Sequence, residues 1–197
     1  MRKLTKYLLA FLSVATLATT ATACDAISNI FQKDTATATL ETLQYQKIKD
    51  KDEYRVVGLG TISSLEVTIP STYKGLPVTE ISNNAFSCST NGACEYLEKI
   101  IIPDSVNTIG DRAFYGCNSL TSVVIPDSVT TMGNSAFYEC SSLTSVYYKG
   151  AESDWSGISI GSHGNSNLTS ATRYYYDESE TAESWWHYDA QGNIVHG

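Results

Sequence analysis

The chain has 197 residues, 42% of them hydrophobic and 17% charged, with a formal net charge of −8. The apolar share excludes wholesale disorder, and the length allows one or at most two modest domains. The acidic balance excludes nucleic acid as the partner, because phosphate binding needs a basic face.

At the start, Arg2, Lys3 and Lys6 precede an uncharged apolar stretch from Tyr7 to Leu17, and small residues follow to Cys24. This three-part pattern predicts a secretory signal peptide over residues 1–23. Ser and Thr make its second half too polar for a membrane span. Two processing routes fit the same residues. Ala21-Thr22-Ala23 suits an ordinary signal peptidase and a freely secreted product. Ala21-Thr22-Ala23-Cys24 also resembles a bacterial lipobox, with Ala21 where Leu is usual. The adopted expectation is lipidation of Cys24 and anchoring at the cell surface, since more than one acyl chain gives stable attachment. Without residues 1–23, ten basic residues face 21 acidic ones, a net charge of −11. Residues 24–39 show no clear period and are expected to form a tether.

From Leu40 to Tyr176 the chain is organised by a repeat. Leu97 to Ser119 and Leu120 to Ser142 each have 23 residues and share 13 identities. Upstream, Ile69-Pro70, Val78, Ile81, Ala85-Phe86 and Cys94 match the same frame, with insertions in Ser71 to Pro77 and in Ser87 to Gly92. Downstream, Leu143 to Tyr148 begins another copy and Leu168 to Ala171 restarts the pattern. Within one unit, Ser122 to Ile125 reads as a strand that Pro126 ends. Asp127-Ser128 is the turn, Val129 to Met132 a second extended stretch, and Asn134-Ser135 the cap of one helical turn holding Ala136, Phe137 and Tyr138.

A unit this short cannot bury its own apolar side, but stacked units can. Leu97, Leu120 and Leu143 are expected as one buried column, with Phe86, Phe114 and Phe137 opposite. The fold class is therefore α/β and strand-rich: a leucine-rich-repeat solenoid with one short parallel strand per coil of about 23 residues and short helical turns. The closing segment begins near Lys149, and residues 177–197 form an acidic linker and an aromatic hairpin tail.

The unit L-x-x-[IV]-x-[IV]-P-x-S-V-x-x-[IM]-G-x-x-A-F-x-x-C resembles the BspA-like leucine-rich repeat of bacterial surfaces and some parasitic protists. Ile69 to Ile81 is similar to that family's opening coil, and Tyr147 to Gly161 to its closing segment. The resemblance implies a surface protein that binds host or bacterial protein or glycan.

Cys94, Cys117 and Cys140 recur three residues before the strand leucines and read as buried thiols acting as small hydrophobes. Such a column does not by itself offer metal geometry. Cys88 lies in an insertion, where a bridge to Cys94 is open as an alternative outside the cell. Gly157-Ile158-Ser159-Ile160-Gly161 matches G-x-S-x-G by letters, with Asp177 and His187 following. No helix pattern follows it, so a nucleophile elbow is not expected. No catalytic residue, cofactor or metal is assigned.

In the tail, Trp185-Trp186-His187-Tyr188 and Asn193-Ile194-Val195 flank Asp189 to Gly192, a hairpin signal. Trp185 and Trp186 either stack on sugar rings or fold back on the last coil as a cap. Across the coils, Ile101, Val124 and Tyr147 align on one outward row, and an exposed apolar row marks a partner site. The expected function is a cell-surface binding module without catalysis. Its partner would be a protein or glycan, and Ile101, Val124, Tyr147, Trp185 and Trp186 the binding residues. The alternative is an envelope spacer without a discrete ligand.

Overall fold

Residues 37–38, 43–60, 66–90, 92–180 and 183–197 are described by the computed structural model. They build two sheets that share one core. The first has the order β1 (Thr37–Ala38), β4 (Glu66–Thr68), β7 (Lys99–Ile101), β9 (Ser122–Ile125), β11 (Ser145–Tyr148), β13 (Thr172–Tyr176), β14 (Trp185–Tyr188) and β15 (Ile194–His196). All its pairs are parallel except β14 with β15. The second has the order β12 (Ser159–Ile160), β10 (Thr131–Met132), β8 (Thr108–Ile109), β6 (Leu76–Ile81), β3 (Tyr54–Leu59) and β2 (Leu43–Lys47). The short β5 (Thr72–Tyr73) pairs with β6.

Each regular coil thus carries two parallel strands, one more than the repeat length alone suggested. The second extended stretch, Val129 to Met132, supplies β10. The expected helical turn is present as single i to i+3 hydrogen bonds, Tyr138 N to Ser135 O at 3.1 Å and Cys140 N to Phe137 O at 3.4 Å. One turn is too short to propagate a helix. The described helices outside the regular coils are brief: a 3-10 turn at Gly92–Tyr96, α1 (Glu152–Trp155) and α2 (Ser166–Ser170). The structure describes the first insertion of this first coil whole and the second at residues 87–90 and 92. One is the β5–β6 hairpin, which turns at Lys74 and Gly75 with φ of 50° and 79°. Positive φ at both residues suits a tight hairpin. The other is followed by the 3-10 turn, which begins at its last residue, Gly92.

The core is the column expected from the repeat. Leu97, Leu120, Phe86, Phe114 and Phe137 are at most 1% exposed, and Leu143 is 7% exposed. The phenylalanine rings stack at 5.0 and 4.8 Å. Such offset stacking adds to what area burial contributes. Backbone–side-chain bonds repeat with the same period. Ser105 and Ser128, the serines of the Asp-Ser pairs, donate to Val78 O and Val106 O, both at 2.7 Å. They tie each coil to the one before it and satisfy carbonyls that the turn leaves unpaired.

Gly133 does more than break the second stretch. A Cβ there would fall on the Asp111 backbone, with Asp111 Cα at 2.7 Å, and Gly110 and Gly161 occupy equivalent close approaches. At the far end Trp155 of α1 packs edge-on against Tyr148 at 5.2 Å and closes the column. At the near end the β2–β3 hairpin continues the second sheet beyond β6. The expected signal segment 1–23 and Cys24 lie outside the described residues. Of the segment read as a tether, Thr37–Ala38 pair with Glu66–Val67.

Candidate functional site

Strand register settles which side chains share a face. Ile101, Val124, Tyr147 and Tyr174 occupy equivalent positions on successive strands of the first sheet. The expected outward row is therefore real as an alignment. It is not an exposed surface. Val124 is 0% exposed and Tyr147 7%. The cause is the tail. β14 adds a further parallel strand beside β13, and the hairpin then lays Trp186, Tyr188 and Ile194 over the row. Trp186 is fully buried, and its indole N–H donates to Tyr148 O at 2.7 Å. Its ring meets Tyr147 at 5.7 Å, Tyr176 at 5.3 Å and Tyr188 at 5.2 Å. Burial pushes the Tyr147 phenol above its ordinary range.

Trp185 is half-buried and stacks on His187 at 5.5 Å. The hairpin turn is held by Asp189, whose carboxylate accepts from Gln191 N at 2.9 Å and Asn193 N at 2.8 Å. These bonds, with that from the Asn193 side chain, hold the Asp189 carboxyl below its usual range. His187 is pushed the other way, by the Tyr188 carbonyl and by Glu180 at 3.1 Å. Of the five residues expected to bind, the tail and the row bring Val124, Tyr147 and Trp186 together into one small core, with Ile101 packed at its edge.

The open surface lies elsewhere, along the turns that follow the second sheet. Asn83, Asp111 and Asn134 stand one coil apart. Asn83 Oδ1 accepts from Asp111 N at 2.9 Å, Asp111 Oδ1 from Asn134 N at 2.7 Å, and Asn134 Oδ1 from His163 N at 3.4 Å. Beside them run Asn84, Arg112 and Ser135, all in the left-handed backbone region, with φ of 58°, 54° and 55°. The two columns and His163 line a groove of about 630 Å³. Gly164 brings the next loop against Ser135 and Tyr138, and Tyr138 stacks on Tyr115 at 5.3 Å. Tyr138 is 40% exposed. Each ladder oxygen is spent on a backbone N–H. Asn83, Arg112, Asn134 and Tyr138 are exposed along this groove and its edge.

Asn134 is read from the sequence as a helix cap and is not joined there with Asn83 and Asp111 into a surface. The signal was there: an amide or carboxylate stands two residues before each Ala-Phe pair, at 83, 111 and 134.

The remaining motifs have structural places. Ser159 lies in β12 opposite Thr131, and Gly161 sits against Asn134 at the edge of the second sheet. The G-x-S-x-G letters therefore fall on a strand and a close approach. Cys88 and Cys94 are bridged, while Cys117 and Cys140 are free and buried. Among the described residues no helix is long and apolar enough to cross a membrane.

Known proteins share this pattern. Residues 61–172 match the BspA type leucine rich repeat region in six copies. The chain is similar to a leucine-rich repeat protein of T. pallidum at 27% identity and a TM-score of 0.51, covering 58% of this chain and 54% of that one. It is also similar to a leucine-rich repeat protein of Bacteroides ovatus at 28% identity and a TM-score of 0.48, covering 62% and 33%. A leucine rich cell surface protein of Faecalibacterium prausnitzii follows at 20% identity and a TM-score of 0.45, covering 80% and 59%. The match thus spans about half the length of the T. pallidum protein and a third of the B. ovatus one. No curated protein matches. The chain belongs to the BspA-type leucine-rich repeat family.

Proposed function

We propose that the chain is a recognition module displayed at a cell surface, held there by a lipid on Cys24. It adheres to a protein or glycan and needs no catalysis to do so. The observation that carries this reading is the polar groove along Asn83–Asp111–Asn134 and Asn84–Arg112–Ser135. Asparagine amides and one guanidinium lining an open cleft, with the exposed Tyr138 beside Ser135, suit a ligand rich in hydroxyl groups, which offers acceptors to the donors. The net charge of −11 after signal removal favours neutral or basic partners over acidic ones.

The test uses the mature protein against glycan arrays and against extracellular-matrix and cell-wall fractions. Arg112→Glu with Tyr138→Ala changes only exposed side chains, so the fold is kept. The double variant is expected to lose the retained partner. Retention equal to the parent would remove the groove from the account, and the absence of any partner for the parent would favour the envelope spacer. Release of the protein from the membrane fraction by Cys24→Ser, with loss of the acyl mass, checks the anchor.

A further inference from the structure

The insertion that lengthens the first coil gives its sulfurs a second use. Cys94 belongs to the regular column with Cys117 and Cys140, whereas Cys88 is supplied by the inserted loop alone. The column by itself does not converge, but Cys88 changes that. The Sγ atoms of Cys88, Cys94 and Cys117 all lie within 4.8 Å of one another. The approach is built into the backbone. Gly116 has φ of 75°, and a Cβ there would stand 3.3 Å from Cys88 Cβ. The next coil places Glu139 at the same position with φ of 59°. A left-handed turn therefore does not require glycine here, and glycine relieves the close approach of Cys88. Cys88 Sγ also lies 2.8 Å from Gly116 O, a contact that becomes an S–H···O hydrogen bond when the bridge opens. The reduced sulfur has a partner where it already stands.

We propose that, once the Cys88–Cys94 bridge is reduced, Cys88, Cys94 and Cys117 form a three-thiolate site for a thiophilic divalent cation such as zinc. Opening the bridge takes two electrons and two protons from a dithiol reductant, which leaves as its own disulfide. Metal binding then exchanges three S–H bonds for three metal–sulfur bonds and releases three protons. Zinc–sulfur bonds of about 2.3 Å at tetrahedral angles need sulfurs roughly 3.8 Å apart, so once the bridge opens Cys88 and Cys94 separate by side-chain rotation, with Cys117 already within 4.8 Å of both. Cys88 is only partly buried, so the ion enters from its side and water completes the fourth position. The two states tie different things. The bridge closes the inserted loop on itself, and the metal clips that loop to the coil after it.

The test titrates the reduced, reductant-free protein with cobalt(II), which reports tetrahedral thiolate ligation by its visible absorption, and then displaces it with zinc. One equivalent is expected to bind the reduced protein and none the oxidised one. Cys88→Ser, a partly exposed change, and Cys117→Ala should each weaken binding beyond the roughly 10–100-fold that loss of an outer-shell partner causes. Cys140→Ala, which removes a neighbour of Cys117 but no ligand, should still bind one equivalent. Far-UV circular dichroism of each reduced variant separates lost ligation from lost fold. Undiminished binding in Cys117→Ala, or no binding by a reduced protein that keeps its parent spectrum, overturns the site.

Discussion

Two surfaces of the same solenoid meet the same geometric problem and resolve it differently. On the outer face of the first sheet, the repeat generates an apolar row, Ile101, Val124, Tyr147 and Tyr174. On the turns after the second sheet it generates a polar one, Asn83, Asp111 and Asn134. Stacking coils about 4.8 Å apart amplifies whatever a position carries into a stripe. An apolar stripe is an association hazard, and the chain covers it with its own C-terminal hairpin. A polar stripe is satisfied within itself, because each side-chain oxygen caps the backbone of the next coil. Only the second leaves chemistry available to a partner.

The sharpest way to break this contrast is Trp186→Ala. Removing a fully buried tryptophan costs about 3–5 kcal/mol, and it also orphans the Tyr148 carbonyl. Beyond Trp186 the hairpin is held by its pairing with β13 and by Tyr188 and Ile194, and the expected outcome is its release from an intact solenoid. Limited proteolysis should cut between Tyr176 and Trp185, and a hydrophobic dye should bind the uncovered row. Adding Val124→Ser should abolish dye binding without restoring protection. A protease-resistant, dye-negative Trp186→Ala would mean the hairpin is held by the strand pairing alone.

Gly133→Ala tests the polar side through its backbone. The added methyl meets main-chain atoms of Asp111, which cannot swing away as a side chain could. The expected loss is about 1–3 kcal/mol, the range for overpacking. Gly75→Ala is the companion measurement. Space is open around that Cβ, but φ is 79°, so strain alone sets its effect. A smaller step is Asp111→Ala. It removes the acceptor for Asn134 N at 2.7 Å and should cost about 1 kcal/mol in thermal or urea unfolding. Asp111→Asn keeps an acceptor oxygen and should restore most of that loss. If both substitutions are neutral, water replaces the ladder and the stripe is ornamental to stability.

These positions also show how far the sequence could be read. The core columns were legible, because Leu97–Leu120 and Phe114–Phe137 recur at a fixed offset and a stacked fold has one place for them. Both insertions were legible for the same reason, as departures from that offset. The fate of the outward row was not. Periodicity reports which residues share a face, and it contains nothing about which distant segment covers it. Trp186 lies 39 residues beyond Tyr147. The cap reading of the tail anticipates its fold back on the last coil, while its pairing with β13 and its cover over the row are tertiary events that no local pattern encodes. The polar ladder failed differently. Asn134 reads as a cap when taken alone, whereas the information lies in the distance that Asn83, Asp111 and Asn134 share from Ala-Phe. The sulfur triad needed geometry, since Cys88 meets Cys117 only because the inserted loop folds back over Gly116.

The smallest effect expected is a pH dependence of the hairpin, and it has two limbs of opposite sign. His187 is held above its ordinary value of 6.5 by the Tyr188 carbonyl and Glu180. Its contribution is complete below 6.5 and is lost as pH rises through the raised value. Asp189 is held below its ordinary 3.8 by Asn193, Gln191 and Gly192. Its contribution is complete above 3.8 and is lost as pH falls through the lowered value. Both groups therefore support the hairpin together between about 3.8 and 6.5. Docking measured by tryptophan fluorescence should be firmest in that window and loosen on either side. His187→Gln should flatten the alkaline limb and leave the acid one, and Asp189→Asn should do the reverse. If neither substitution changes the profile, the cover over the apolar row is held by Trp186 and strand pairing without help from charge, and the contrast between the two surfaces becomes one of apolar packing against hydrogen bonding alone.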